Sequence, residues 1–165
     1  MAVLLRSRAG RRVLGLISSH QGAVERRRPL PLPPVRFPGS FAMSASNKQT
    51  VTRAYQRIFG DLDVSAVDEF MSKDFVQHNP TIADGPEGVK QLVEMLASQG
   101  VRKQKIEFKH VVADGDTVIL HTRYEMAENE WRFIDIYRVE NDKLVEHWDA
   151  MMQMPDTRAN NNPMF

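Results

Sequence analysis

Two aspartates near the end of the chain, Asp135 and Asp149, stand within segments of alternating apolar residues. That alternation is typical of half-buried strands, where a carboxylate is costly unless it is hydrogen-bonded, paired or held neutral. Two such groups on one face of a sheet can share a proton, so that one acts as an acid and the other as a base. The pair therefore indicates a proton-handling site.

The loop between the two strands decides whether the carboxylates share a face. A two-residue turn would place Asp135 opposite Trp148 and direct Asp149 to the other side of the sheet. A three-residue loop ending at Asp142 in the left-handed conformation would place Asp135 opposite His147, with Asp149 diagonally adjacent on the same face. We expect the three-residue loop.

On that register one face of the hairpin is aromatic and mostly apolar, which is how a small-molecule pocket is composed. Its members are Trp131, Phe133, Asp135, Tyr137, His147, Asp149 and Met151. The other face sets apolar residues among charged ones and suits a homodimer contact. Its apolar members are Ile134, Ile136, Leu144, Trp148 and Met152.

The elements that must position these residues follow from hydrophobic spacing. Helices are predicted over 46–59, after a capping Asp63, and after a capping Asp84 as far as Gly100. Beyond Gly100 the apolar period becomes two, with a hairpin turn at Asp114. The predicted strands are 106–112, 117–126, 131–139 and 143–152. Three helices followed by an antiparallel meander predict an α+β fold with the helices on one face of a curved sheet.

Composition limits the number of domains and the classes of function that the chain can have. The chain has 165 residues, 42% hydrophobic and 26% charged, and no cysteine, which fits one compact domain and excludes disulfides and thiolate chemistry. Residues 1–42 carry eight arginines and one acid, so the total charge of +1 leaves −6 for the rest. An acidic domain lacks the basic face that nucleic-acid binding needs. No stretch approaches the roughly 18 apolar residues of a membrane span, so no membrane partner is expected.

The basic extension, residues 1–42, is set apart from the predicted domain, residues 43–165. Its first part is rich in arginine and free of acids, as in a mitochondrial transit peptide, and residues 26–39 hold five of the nine prolines, which predicts an extended linker. Alternatively, the extension is an upstream leader and the protein starts at Met43. We favour the second interpretation and a cytoplasmic location, with a mitochondrial one as the alternative.

Four motifs resemble those of the SnoaL-like family of the nuclear transport factor 2-like superfamily. They are FVQHNP at 75–80, DGPEG at 84–88, DIYRVENDKLVEHWD at 135–149 and NNNPMF at 160–165. The resemblance covers about residues 46–165. It implies a cone, in which three helices wrap a curved antiparallel sheet around one pocket. It also implies a relation to polyketide cyclases that close a ring by intramolecular aldol condensation without metal or organic cofactor.

The resemblance implies that Asp149 is a base that removes a proton from a carbon next to a carbonyl. Asp135 stands where the cyclases carry histidine, so it would be an acid or electrostatic partner if it is protonated. We expect His78 to polarise the carbonyl and Asn79 to orient it at the mouth of the cone. The other candidates for substrate binding are Trp131, Phe133, Tyr124, Tyr137 and His147.

The expected function is thus a cofactor-independent lyase or isomerase that acts on a small carbonyl substrate as a homodimer. The histidines show no short metal-ligand spacing, so no metal is expected. A non-catalytic ligand-binding or dimeric scaffold protein of the same fold is the alternative. Epoxide hydrolysis ranks lower because it needs an Asp-Arg-Asp relay, and Arg132 and Asp135 are predicted to face opposite sides.

Overall fold

The computed structural model describes residues 40–126 and 129–164, so most of the predicted extension lies outside the described residues. Three helices and one π-helical turn accompany the sheet. They are α1 (Ser40–Tyr55), the π-helical turn (Gln56–Gly60), α2 (Ser65–Phe70) and α3 (Gly85–Ser98). The helix α1 begins earlier than the predicted residue 46. The predicted ends of α3 agree with the structure, since Asp84 accepts a hydrogen bond from the Gly85 N–H and Gly100 follows with φ of 83°.

Five strands form one sheet in the order β1-β5-β4-β3-β2. They are β1 (Met71–Gln77), β2 (Glu107–Asp114), β3 (Thr117–Met126), β4 (Asn129–Glu140) and β5 (Lys143–Gln153). The strands β2 to β5 form the predicted antiparallel meander, and the helices pack against the sheet. The predicted α+β fold is confirmed.

The edge strand β1 was absent from the sequence prediction and runs parallel to β5. Its side chains alternate, with Phe75 buried at 2% exposure and Val76 exposed at 40%. Gln77 pairs with His147, and the His78 N–H donates to the carbonyl of His147 at 2.9 Å. This parallel pairing joins the FVQHNP motif to the strand that carries Asp149.

The predicted three-residue loop between β4 and β5 is wrong. Glu140 pairs with Lys143, which leaves a two-residue turn of Asn141 and Asp142. Both turn residues have positive φ, 49° and 60°, as a type I′ hairpin requires.

A β-bulge restores the shared face that a plain two-residue turn would have lost. Arg138 pairs with Glu146, and the next pair towards the turn is Val139 with Leu144. Val145 is therefore left without a partner in the ladder. The extra residue shifts the register by one, and every residue beyond it on β5 changes side. Consequently Asp135 and Asp149 lie directly opposite each other.

The two-residue turn places Leu144 on the inner face of the sheet, whereas the prediction had it on the outer face. This residue is paired with Val139 and is 1% exposed, so it belongs to the core rather than to the outer face. Fully burying a large apolar side chain stabilises the fold by about 1.5–3 kcal/mol. Other core residues from the helices and the sheet are Val51, Ala54, Ile58, Val89, Val93, Val118, Leu120 and Tyr137.

The outer face of the sheet keeps several large apolar side chains exposed. They are Val112, Ile119, Ile134 and Met152. The homodimer that we expect from such a face stays a prediction. Among the described helices, none is both long and apolar enough to cross a membrane.

Candidate active site

A cavity of about 350 Å³ opens on the inner face of the sheet. Apolar side chains from the helices and strands form most of its wall. They are Phe59, Ile82, Val89, Leu92, Met95, Leu96, Met126, Phe133 and Met151. Polar side chains line the rest of the wall and include Gln77, Asn79, Thr81, Asp135, His147 and Asp149. An apolar cavity with a few convergent polar groups is the usual form of a small-molecule site.

Two carboxylates and an imidazole converge in this cavity. Ligand atoms of Asp135, His147 and Asp149 all lie within 4.8 Å of one another. Asp135 and His147 are 3% and 4% exposed, and the Asp135 Oδ1 lies 3.2 Å from the His147 Nε2. The predicted meeting of the two acids in one pocket therefore holds, although the register that achieves it differs from the predicted one.

The surroundings of Asp135 favour its protonated form. Burial raises the pKa of its carboxyl, and the negative charge of Asp149 raises it further. His147 and the nearby hydroxyl of Tyr55 oppose that rise in pKa. The second oxygen, Oδ2, has no partner within normal hydrogen-bonding geometry among the described residues, although Asp135 lines the cavity. A carboxyl that favours its protonated form can donate a proton to a bound molecule.

Asp149 is held by a side-chain amide. The Nδ2 of Asn79 lies 2.9 Å from one carboxylate oxygen of Asp149 and 2.8 Å from the other. The Oδ1 of Asn79 accepts hydrogen bonds from the backbone N–H and the hydroxyl of Thr81, at 2.8 and 2.7 Å. Because the backbone N–H is always a donor, these contacts fix which end of the Asn79 amide faces Asp149.

Gln77 holds the other side of the histidine ring. Its Oε1 lies 3.0 Å from the His147 Nδ1 and accepts the backbone N–H of Asn79 at 2.9 Å. Sequence reasoning passed over Gln77 in favour of the adjacent His78. The period of two along β1 would have selected Gln77, had the strand been recognised.

Two buried tyrosines surround the acid pair. The hydroxyl of Tyr55 lies 3.3 Å from the Thr122 Oγ1, and the ring of Tyr137 stacks on His147 with centroids 4.4 Å apart. Burial, together with the charge of Asp135, raises the pKa of both phenols well above the usual value, so both hydroxyls stay protonated. Tyr55 lies within the predicted helix 46–59, but a single sequence gives no signal for the distant strand that its hydroxyl contacts.

The structure contradicts the pocket position expected for His78. The residue follows Gln77 on the opposite side of the chain, where its ring stacks on Trp148 at 4.6 Å and its Nε2 bonds to the Glu146 carboxylate at 2.9 Å. His78 is absent from the residues that line the cavity, since alternation along the extended chain turns it outward. A side chain on the outer side cannot polarise a carbonyl inside the cavity, so His78 is not part of the candidate site.

The aromatic candidates divide into two groups. Tyr124 and Phe133 line the cavity, and the hydroxyl of Tyr124 donates to the carbonyl of Phe59 at 2.8 Å. Burial raises the pKa of Tyr124 to about 12. Trp131 and Tyr137 share the inner face but do not line the cavity, so their predicted contact with substrate is not supported.

The grouping of Asp135, His147 and Asp149 is also close enough to hold a cation. Sequence spacing did not reveal this arrangement, because its members come from two strands that are brought together only by the bulged register. However, the His147 Nε2 is hydrogen-bonded to Asp135, and both Asp149 oxygens face the Asn79 amide. These hydrogen bonds suit proton transfer better than metal ligation, which would have to displace them.

One family profile matches more than half of the chain. The profile of the SnoaL-like domain matches residues 51–147. The chain belongs to the SnoaL-like family. The matched segment of this SnoaL-like protein includes Gln77, Asn79, Asp135 and His147, and it ends two residues before Asp149. No curated protein sequence matches the chain significantly.

Solved structures share the fold. TsrD from Streptomyces laurentii is similar with a TM-score of 0.56 and 20% identity, over 65% of this chain and 88% of that chain. A proposed SnoaL-like polyketide cyclase from Jannaschia sp. CCS1 gives 0.56 and 17%, over 70% and 89%. An LEH-like epoxide hydrolase from M. tuberculosis gives 0.52 and 16%, over 64% and 82%. At these identities the likeness shows the fold alone.

Proposed function

We propose that this SnoaL-like protein is a cofactor-independent enzyme that removes a proton from a carbon next to a carbonyl group and promotes aldol-type cyclisation or isomerisation. The observation that carries the proposal is the position of Asp149. This residue faces an apolar cavity, is oriented by the Asn79 amide and lies directly opposite the buried Asp135. A positioned base contributes about 10²–10⁴-fold to the rate of such a step.

The proposed sequence of steps returns every proton. Asp149 takes a proton from the carbon, and the electron pair of the C–H bond moves to form an enolate. Asp135 stabilises the enolate oxygen by hydrogen bonding, or by a proton transfer that is reversed when the carbonyl re-forms. In the aldol direction the carbon attacks a second carbonyl of the same molecule, and the new alkoxide takes the proton from Asp149. In the isomerase direction Asp149 returns the proton to a different carbon.

The wall of the cavity favours a neutral substrate. Its charged or ionisable side chains are Asp135, Asp149, His147 and two tyrosines, and no lysine or arginine is among the described lining residues. A phosphate or carboxylate on the substrate would therefore lack a fixed cation inside the cavity and would meet the charge of Asp149. We infer a small, mostly apolar ketone or aldehyde.

The first step can be tested without the natural substrate. Small ketones are incubated with the protein in D₂O, and ¹H NMR follows the loss of the protons next to the carbonyl. We expect catalysed exchange by the wild type and loss of that exchange in Asp149→Asn. Asp156→Asn, on the exposed segment after β5, is the matched control and should exchange like the wild type.

The same measurement separates the alternatives. A ligand-binding protein without catalysis would bind ketones and give equal, uncatalysed exchange with wild type and Asp149→Asn. Epoxide hydrolysis would need an arginine between two acids, yet Arg132 lies outside the lined cavity and forms an ion pair with Glu130. Exchange that persists in full in Asp149→Asn would refute the proposed function.

A further inference from the structure

Gln77 makes a contact whose direction is fixed by the backbone. Its side-chain atom within 2.9 Å of the Asn79 backbone nitrogen must be an acceptor, because a backbone N–H can only donate. That atom is therefore the amide oxygen Oε1. The same oxygen lies 3.0 Å from the Nδ1 of His147.

The oxygen of Gln77 in turn fixes one proton of His147. An amide oxygen cannot donate, so a hydrogen bond at this contact requires that Nδ1 carries a hydrogen. In a neutral imidazole only one ring nitrogen is protonated, and the other is an acceptor. His147 therefore presents either a lone pair at Nε2 or, in the imidazolium form, a second N–H.

The Nε2 of His147 faces Oδ1 of Asp135 at 3.2 Å, inside a buried pair. If Nε2 were unprotonated and Asp135 were an ionised carboxylate, two acceptors would face each other without a proton between them. A hydrogen bond exists only if Asp135 is protonated or if His147 is an imidazolium. In both cases one proton lies between these two atoms, and the pair as a whole is neutral.

We propose that Gln77 is a positioning residue that keeps this proton in the Asp135–His147 pair, so that the pair is the acid opposite Asp149. Only the use of the proton as an acid rests on the proposed function. The proton count itself rests on the chain of contacts from the Asn79 N–H through Gln77 and His147 to Asp135.

The pair can deliver its proton without a net change over a catalytic cycle. Asp135 gives the one proton of the pair to the enolate oxygen and is left as a carboxylate. When His147 is an imidazolium, its Nε2 proton first passes to Oδ1 of Asp135, which leaves a neutral ring and a protonated carboxyl. When the enol collapses to the carbonyl, its O–H proton returns to Asp135, and the starting state is restored.

Loss of the Gln77 oxygen should change the tautomer of His147. Without an acceptor at Nδ1, the ring can carry its hydrogen at Nε2 and donate it to an ionised Asp135. That arrangement satisfies the same contact with one proton fewer, and it leaves a net negative charge beside Asp149. The acid would thus be lost although the residues that compose it are unchanged.

The test is ¹⁵N NMR of the full chain with labelled histidine, which reports directly which ring nitrogens are protonated. In the wild type near neutral pH we expect the His147 Nδ1 to be protonated. Gln77→Met has similar length and no acceptor, and in it we expect Nδ1 to lose its proton and Nε2 to carry one.

Gln104→Met is the matched control. Gln104 also accepts a backbone N–H, from Glu125 at 2.9 Å, and donates to the carbonyl of the same residue at 2.9 Å, away from the pair. The control therefore loses comparable hydrogen bonds. Its His147 signals should stay as in the wild type, which separates the tautomer from a general loosening of the fold.

Asp135→Asn provides a second test in case Gln77→Met fails to fold. The asparagine amide can donate to Nε2, so we expect a neutral His147 that is protonated at Nδ1 alone. A wild-type His147 without a proton at Nδ1, or an Asp135→Asn variant protonated at Nε2 alone, would overturn the proposal. If no ketone is exchanged but the predicted tautomers are found, the proposed function fails while the role of Gln77 stands.

Discussion

The side-chain amide of Asn79 contacts both carboxylate oxygens of Asp149, at 2.9 and 2.8 Å, although the two residues are 70 positions apart in the chain. The parallel pairing of β1 with β5 brings them together. Asn79 lies just beyond the end of β1, and Thr81 holds its amide in one orientation. The orientation of Asp149, the base of the proposed reaction, thus depends on β1, the strand that follows α2.

Replacing Asn79 by Asp should convert this contact from attractive to repulsive with little change in shape. The hydrogen bonds from Thr81 can persist, because they use the oxygen that both side chains share. We expect a loss of stability on the order of 1–3 kcal/mol at neutral pH, as for a buried polar group without a suitable partner. The loss should shrink on acidification, when one carboxyl takes up a proton and donates it to the other. Urea denaturation at both pH values measures this, and an equal loss at both would contradict it.

The sequence predicted most of the helices and four strands because their apolar periods and caps are local. It missed β1 because the strand is only seven residues long and its partner lies about 70 positions away. The motif that contains Asn79 was recognised, but its strand period was not. The roles of Gln77 and His78 were therefore exchanged, since neighbouring residues of a strand face opposite sides.

The acid pair illustrates a different limit. Alternation placed Asp135 and Asp149 on strands, yet their relative position depends on whether one residue bulges out of the ladder. Neither Val145 nor the residues beside it carry a sequence signal for a bulge. The choice of a three-residue loop was wrong, and the shared face was recovered by Val145 instead.

His78 provides a negative test of the site. His78→Ala removes a bond to Glu146 and the stack on Trp148 on the outer side, while the backbone N–H of residue 78 still pairs with His147. Because the His78 side chain is 38% exposed, we expect a cost of about 0–1 kcal/mol in stability. Exchange of ketone protons should be unchanged. A large loss of exchange at full stability would return His78 to the site.

The raised pKa of Asp135 predicts a stability difference that depends on pH. The folded state favours the protonated carboxyl, so its stabilising contribution is present at low pH and is lost as pH rises through the raised pKa. Asp135→Asn cannot ionise and keeps a donor for His147. The variant should therefore gain stability relative to the wild type as pH rises from about 4. Urea denaturation across this range measures the difference, and a difference that is constant with pH would contradict the assignment.

Tyr55, at the end of α1, should lower the pKa of Asp135. As a donor near the carboxyl, its hydroxyl lowers the pKa of Asp135, and it also contacts the Thr122 Oγ1 at 3.3 Å. Tyr55→Phe removes that donor, so we expect the pKa of Asp135 to rise further. Thr122→Val breaks the same hydroxyl contact but leaves the Tyr55 hydroxyl free to donate to Asp135, so the pKa should fall.

The carboxyl ¹³C signal of Asp135, followed as a function of pH in both variants, measures these shifts. Each substitution removes one hydroxyl and the contact between Tyr55 and Thr122, with an expected cost of about 0.5–1.5 kcal/mol. Since the two variants are matched in that cost, a general loosening of the fold would move the pKa of Asp135 in the same direction in both. Shifts of opposite sign require that the Tyr55 hydroxyl acts on the carboxyl itself, and shifts of the same sign would exclude that role.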